Sequence, residues 1–275
     1  MGKERNLTPA EKWERATLAD NFIFCKVMTE NPDLCRELLE LLLGIRIEQI
    51  EQPVAERNFK ADYGSKGIRF DVYVKDGTGR CFDIEVQTTN RRNLARRARY
   101  YQGLMDVDSL RSGEDYGGLK DSYVIFLCLD DPFGRGLPVY TFRSRCTEDA
   151  GVFLDDGAHK IFYNAAKHAI MPSGELRSFF RFLSGGEDGS ALSGRLAAMV
   201  GHAKTNAQWR RQFMTWEEEM KLQVKEAAEE RAEEVTIETA RRMLARDVSL
   251  ETIAWCTGLP PERVERLRQE VAAEA

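Results

Sequence analysis

The 275 residues leave room for one large domain, or for one domain and a small appendage. Hydrophobic content of 43% and charged content of 31% exclude a disordered chain, and a net charge of −5 argues against a uniformly basic nucleic-acid binder. No apolar run approaches the roughly 18 residues of a membrane span, and the longest, Leu38 to Leu43, is broken by Glu40. The start, MGKERNLTPAEKW, lacks the apolar core of a secretory signal, so a cytoplasmic protein is expected.

The helix and strand signals run in a clear order. Thr8-Pro9-Ala10-Glu11 is a capping box with proline in the first turn, and the helix it starts is expected to run through Trp13 and Leu18 toward Val27. Asn31-Pro32 opens a second helix with leucines at 34, 38, 41 and 42 on one face and Gly44 as its stop. Ile45, Ile47 and Ile50 suggest a first strand before Pro53, and residues 54 to 67 read as irregular or as a short extra strand.

A hairpin follows. Phe70, Val72 and Val74 alternate with Asp71, Tyr73 and Lys75; Phe82, Ile84 and Val86 alternate with Asp83, Glu85 and Gln87. The turn between them predicts the register. With Gly77-Thr78-Gly79 as a three-residue loop and Gly79 in the left-handed region, Asp76 pairs with Arg80, and Asp71 falls opposite Glu85. A four-residue loop would set Asp71 against Ile84, on the wrong face.

Asn93 to Leu104 reads as helix, and Tyr123 to Leu129 (YVIFLCL) as a buried central strand. Val139 to Arg143 and Lys160 to Tyr163 are shorter strands, and Glu175 to Leu183 is helical. Serine and glycine over Ser184 to Gly194 mark a domain boundary. Beyond it lies a helical arm, whose stretch from Glu217 to Val235 carries eight acids against three bases. The chain then reads as two short helices around Thr257-Gly258, with the layout of a helix-turn-helix. Packing or dimerisation is the simpler use of that piece, and a homodimer is an expectation.

The chemistry concentrates at the hairpin. The six cysteines contain no CxxC pair and the three histidines no HxxxH spacing, so neither zinc nor disulfides organise the fold. Asp71 and Glu85, side by side, would supply the carboxylates a magnesium-class ion needs, with the Val86 carbonyl as a third oxygen. Between Thr88 and Met105 stand five arginines and no acid. Of these, Arg92, Arg96, Arg97 and Arg99 are candidates to grip a phosphate backbone. A plainer reading exists for each. Polar residues alternate on any half-exposed strand, the arginines could be a solvated helix face, and Lys26 a surface lysine.

The pattern resembles the PD-(D/E)XK nuclease superfamily, in which an aspartate on one strand is followed by D/E-x-K on the next. More narrowly it is similar to the Rpn-type recombination-promoting nucleases, the transposase-like group with E-x-Q and R-x-x-Y segments and a helical tail. Asp20 to Val27 stands for the early D-x-x-F-x-x-V segment, Asp71 for the aspartate, Glu85-Val86-Gln87 for E-x-Q and Arg97 to Tyr101 for the arginine-tyrosine segment. The resemblance implies an α/β, restriction-endonuclease-like fold: a mixed central sheet flanked by helices, with a helical C-terminal extension. It implies a nuclease-like domain over 1–185, a linker and charged arm over 186–235 and a helix-turn-helix-like module over 236–275. It also implies Mg2+-dependent (or Mn2+-dependent) DNA endonuclease activity linked to recombination or mobile elements, with DNA as partner and no membrane. Asp71, Glu85 and Gln87 are then catalytic, Asp71, Glu85 and the Val86 carbonyl hold metal, and Asp20 is an additional acid. Gln87 departs from the superfamily's lysine, because an amide can bind a water but carries no charge. Lys26, Arg96, Arg97 or Arg99 is left to supply that charge. The contrasting expectation is a nuclease scaffold that has lost catalysis and binds nucleic acid or protein.

Overall fold

The structure, a computed structural model, describes residues 7–59, 68–89, 93–187 and 189–274. Thr8 caps α1 (Pro9–Arg15) with a complete capping box: Thr8 Oγ1 accepts from the Glu11 N–H at 3.2 Å, and Glu11 Oε2 from the Thr8 N–H at 2.8 Å. The helix does not run on to Val27 as expected. At Ala16 the backbone extends (ψ 138°), and Thr17 ties the next residues into a turn through its hydroxyl on the Ala19 N–H. A threonine hydroxyl offers the backbone this local alternative to helix. A second helix, α2 (Asn21–Glu30), restarts after it, and α3 (Pro32–Leu43) ends at Gly44, left-handed at φ 65°.

The strand expected over Ile45 to Ile50 is reduced to an isolated bridge between Ile50 and Asp76. The reason is the buried Ile47, whose N–H donates to Glu40 Oε1 on α3 at 2.8 Å and ties the segment to a helix. The first strand is instead β1 (Val54–Phe59), antiparallel to β2 (Ile68–Lys75). β3 (Cys81–Gln87) completes the hairpin, and α4 (Leu94–Ser109) crosses over to β4 (Ser122–Cys128). β5 (Val139–Phe142) and β6 (Ala158–Asn164) follow. The sheet order is β1-β2-β3-β4-β6-β5, with β3, β4 and β6 mutually parallel and the remaining pairs antiparallel. The apolar run of β4 is buried along its whole length, as a central parallel strand requires.

The hairpin turn follows the predicted geometry. Gly79 is left-handed at φ 87°, and the Asp76 N–H donates to the Arg80 carbonyl at 3.0 Å. Asp76, 4% exposed, knots the turn: its Oδ1 accepts from the Thr78 and Arg80 N–H groups at 2.9 Å each, and its Oδ2 meets Arg80 Nε at 2.7 Å. Those bonds outweigh the effect of burial and hold the carboxyl below the ordinary aspartate range.

Both faces of the sheet are covered. α4 packs over one through Leu94, Ala98, Tyr101, Leu104 and Met105, against Phe126 and Phe162. Residue alternation sends Tyr163 to the opposite face, where its hydroxyl donates to the Leu42 carbonyl of α3 and its ring stacks on Phe180 at 5.0 Å. Phe180 belongs to α5 (Gly174–Leu183), and α6 (Ala191–Thr205) packs on α2, α3 and α5.

The chain divides into two compact units, Met1–Arg210 and Arg211–Ala275. The segment after Ser184, expected to be linker, holds α6 in the first unit because Leu196 and Ala203 are fully buried. α7 (Ala207–Leu244) contains the boundary between the units. In the second unit α8 (Leu250–Thr257) turns at left-handed Gly258 into α9 (Pro261–Glu274), around a core of Ala240, Ile253, Val264 and Leu267. Among the described residues no helix is long and apolar enough to cross a membrane.

Candidate active site

The site starts where the β2–β3 ladder stops. Backbone pairing runs from Lys75–Cys81 to Val72–Ile84, and the same register sets Asp71 across from Glu85. There the carboxylates take over. The Asp71 N–H donates to Glu85 Oε1 at 3.0 Å, and the Val86 N–H donates to Asp71 Oδ2 at 3.0 Å. Each acid is thus fixed by the other's strand. The Asp71 carbonyl in turn accepts from Cys25 Sγ at 3.1 Å, which ties α2 to the same point.

Because β3 lies between covered faces, its polar residues are not a solvated edge. Asp83, Glu85 and Gln87 are 0%, 2% and 8% exposed. Their alternation turns all three toward α4, from which Arg97 reaches down. Arg97 Nη2 donates to Glu85 Oε2 at 2.9 Å and to the Tyr101 hydroxyl at 3.1 Å, and Nη1 donates to Gln87 Oε1 at 2.7 Å. Its guanidinium lies 5.3 Å from the ring centroids of both Tyr101 and Phe126. Gln87 Nε2 donates to the Thr89 carbonyl at 2.8 Å, which leaves the amide oxygen facing Arg97.

Burial sets the electrostatics. It pushes the Glu85 carboxyl well above its ordinary 4.5, helped by the charge of Asp71 and opposed by Arg97. Asp83 is raised well above 3.8 by burial and then by the charges of Glu85 and Asp71, with a side-chain hydrogen bond to Glu85 adding to the rise and Arg97 opposing it. Burial also pushes the Tyr101 hydroxyl well above the ordinary tyrosine value, so it stays a neutral donor and acceptor.

Among the described residues Asp71, Asp83 and Glu85 thus stand beside one guanidinium, an excess of hard carboxyl oxygen over positive charge that suits a magnesium-class cation. Among the described residues no group of three or more His, Cys, Asp or Glu is placed to hold a metal. That is no obstacle to this class of ion, which takes one or two carboxylates and completes its shell with waters and substrate phosphate. The donor set Asp71, Glu85 and the Val86 carbonyl fits in kind and number.

The other sequence candidates are placed differently. Asp20 is the N-cap residue of α2, the helix whose Cys25 touches Asp71. Lys26 lies over the rings of Phe22 and Trp209, 5.9 Å from each centroid. Arg96 and Arg99 are exposed on α4, whereas Arg97 points into the site, and Arg92 lies outside the described residues. Asp83 lines the candidate site although the sequence reading did not single it out, and Tyr101 was named there only as the end of the arginine-tyrosine segment. The signals were present: Asp83 shares the alternation of Glu85 and Gln87, and Tyr101 stands four residues after Arg97, one helical turn on.

No curated protein and no solved structure matches the chain. The mixed six-stranded sheet with flanking helices is consistent with the PD-(D/E)XK nuclease-like α/β fold. Residues 21–136, which carry α2, the acid pair of the hairpin and the arginines of α4, match the model of the family described as PD-(D/E)XK nuclease family transposase.

Proposed function

We propose that the protein is a metal-dependent DNA endonuclease that hydrolyses phosphodiesters in recombination or mobile-element movement. The observation that carries this reading is the Asp71–Glu85 pair, two carboxylates locked together at a buried point beside a guanidinium. Asp71, Glu85 and the Val86 carbonyl would hold Mg2+ or Mn2+. When bound, such an ion neutralises phosphate charge and lowers the pKa of a water so that it attacks at neutral pH.

The chain's own contribution is placement. The Val86 N–H fixes the Asp71 carboxylate, and the Asp71 N–H fixes Glu85. Since both Glu85 oxygens are already engaged, one by this N–H and one by Arg97, engaging a metal requires Glu85 to share or exchange a contact. Arg96 and Arg99, exposed on α4, offer charge to the DNA backbone, and Asp20 stands on α2 as an additional acid. The second unit would serve as a packing module of a homodimer: three charges of α9 are already paired, Arg268 with Glu265 at 2.5 Å and Glu270 with Arg241 at 2.9 Å.

A second reading is a nuclease scaffold that binds nucleic acid without cutting it, and the neutral Gln87 favours it. Gel-shift titration at low salt, paired with nicking of supercoiled plasmid in Mg2+ or Mn2+, distinguishes the two. Binding with nicking supports the endonuclease; binding without nicking in either metal supports the scaffold.

A further inference from the structure

We propose that Arg97 carries the positive charge that the superfamily's lysine carries at position 87, and that Gln87 is the positioning residue that holds it. The inference rests on the nuclease reading and gives its missing cation an identity.

Four arginine or lysine candidates compete for the part, and the geometry separates them. Among the described residues Arg97 is the candidate hydrogen-bonded to the acid-bearing strand, at 2.9 Å to Glu85 and 2.7 Å to Gln87. Lys26 lies against Phe22 and Trp209, while Arg96 and Arg99 face outward from α4. The Arg97 fork is also held rigidly. The Tyr101 hydroxyl accepts a hydrogen bond from Nη2 at 3.1 Å, and the rings of Tyr101 and Phe126 support its plane. A planar, weakly hydrated cation tolerates such a site better than a lysine ammonium would.

This arrangement explains why position 87 is glutamine. The amide nitrogen is engaged by the Thr89 carbonyl, so the amide oxygen faces Arg97 and accepts from it. A lysine at 87 would put an ammonium where that oxygen now stands, against a guanidinium in a buried pocket. One cation fits beside Glu85, and two do not. Glutamine at 87 with arginine at 97 is therefore the counterpart of lysine at 87 with a neutral residue at 97. Arginine stays protonated throughout the working pH range, so Arg97 acts by charge and moves no proton. It stabilises developing negative charge beside Glu85, a contribution worth about 100- to 1,000-fold in rate for a single well-placed donor.

A double-mutant cycle tests this, using wild type, Arg97→Gln, Gln87→Lys and the combination of the two. Each protein is assayed for plasmid nicking in Mn2+ and for its thermal midpoint. Arg97→Gln is expected to lower nicking about 100-fold or more, and Arg97→Lys, which keeps the charge and loses the fork, less. Gln87→Lys alone should lower Tm by about 3–6 °C through the crowding of two cations. The combined variant, with its single cation returned to position 87, should regain that loss in Tm and nick at least about tenfold faster than Arg97→Gln. A combined variant with normal Tm but nicking no better than Arg97→Gln would overturn the charge assignment. Additive Tm changes across the cycle would overturn the pairing of Gln87 with Arg97. The Tm cycle reads that pairing whether or not DNA is cut, so a wild type with no nicking refutes the nuclease reading and the catalytic charge while the pairing is still decided.

Discussion

Asp71 and Glu85 are bound to each other's strands by two hydrogen bonds of 3.0 Å, Asp71 N–H to Glu85 Oε1 and Val86 N–H to Asp71 Oδ2. The acids therefore replace backbone pairing at the point where the ladder ends, and they hold the two strands together there. Removing Glu85 leaves the Arg97 guanidinium and the Asp71 N–H without their buried acceptor. Glu85→Ala should destabilise the protein by about 3–5 kcal/mol, as expected for breaking a buried ion pair. Glu85→Gln, which keeps an acceptor, should cost about half of that or less. Urea unfolding of the three proteins measures the difference.

Stability should depend on pH through the buried acids, and the sign follows from their direction. Glu85 and Asp83 are raised in the folded protein above the 4.5 and 3.8 of ordinary carboxyls. The native state therefore binds more protons than the unfolded chain between those values and the raised ones. Their stabilising contribution is complete below the unfolded values and is lost as pH rises through the folded values. The metal-free protein should thus lose stability on going from weakly acid toward alkaline pH, and Glu85→Gln and Asp83→Asn should each flatten the slope. Tm measured across this range in chelator provides the check.

Asp83 gives a third expectation. Its carboxyl is fully buried beside the carboxyls of Glu85 and Asp71, an arrangement that opposes folding wherever the group must carry charge. Asp83→Val, apolar and suited to a strand, should raise the Tm of the metal-free protein at pH 8, by about 1–3 kcal/mol in stability. Calorimetry would show this directly, and a lower Tm would mean that the carboxyl has a stabilising partner.

A metal ion that binds between the acids should stabilise the folded state by mass action, by about 2.7 kcal/mol at a hundred times its dissociation constant. Mn2+ should therefore raise the Tm of wild type at pH 8 and leave that of Asp71→Ala nearly unchanged. Differential scanning fluorimetry over a Mn2+ series reads both.

Much of this site was legible in the sequence, and the limits were physical. Gly79 gave the turn its length, and the turn gave Asp71 its position opposite Glu85. The alternation of β3 gave the shared face, but not its burial, which depends on β4 and β6 lying parallel alongside and on α4 covering them. Composition placed five arginines after the hairpin without distinguishing Arg97 from Arg96 and Arg99, because only the rotation of α4 on the sheet turns one inward. β1 was harder still. Its sequence, VAERNF, carries no clean apolar alternation, so its pairing with β2 reflects tertiary context.

In the proposed endonuclease, Asp71 and Glu85 are the acids on which DNA cleavage depends. Nicking of supercoiled plasmid in Mg2+ and in Mn2+, by wild type, Asp71→Ala and Glu85→Ala matched for folded fraction, tests that most directly. Wild type should convert supercoiled to open-circular DNA, and both variants should lose at least about 100-fold in rate. Cleavage that survives both substitutions would contradict the assignment.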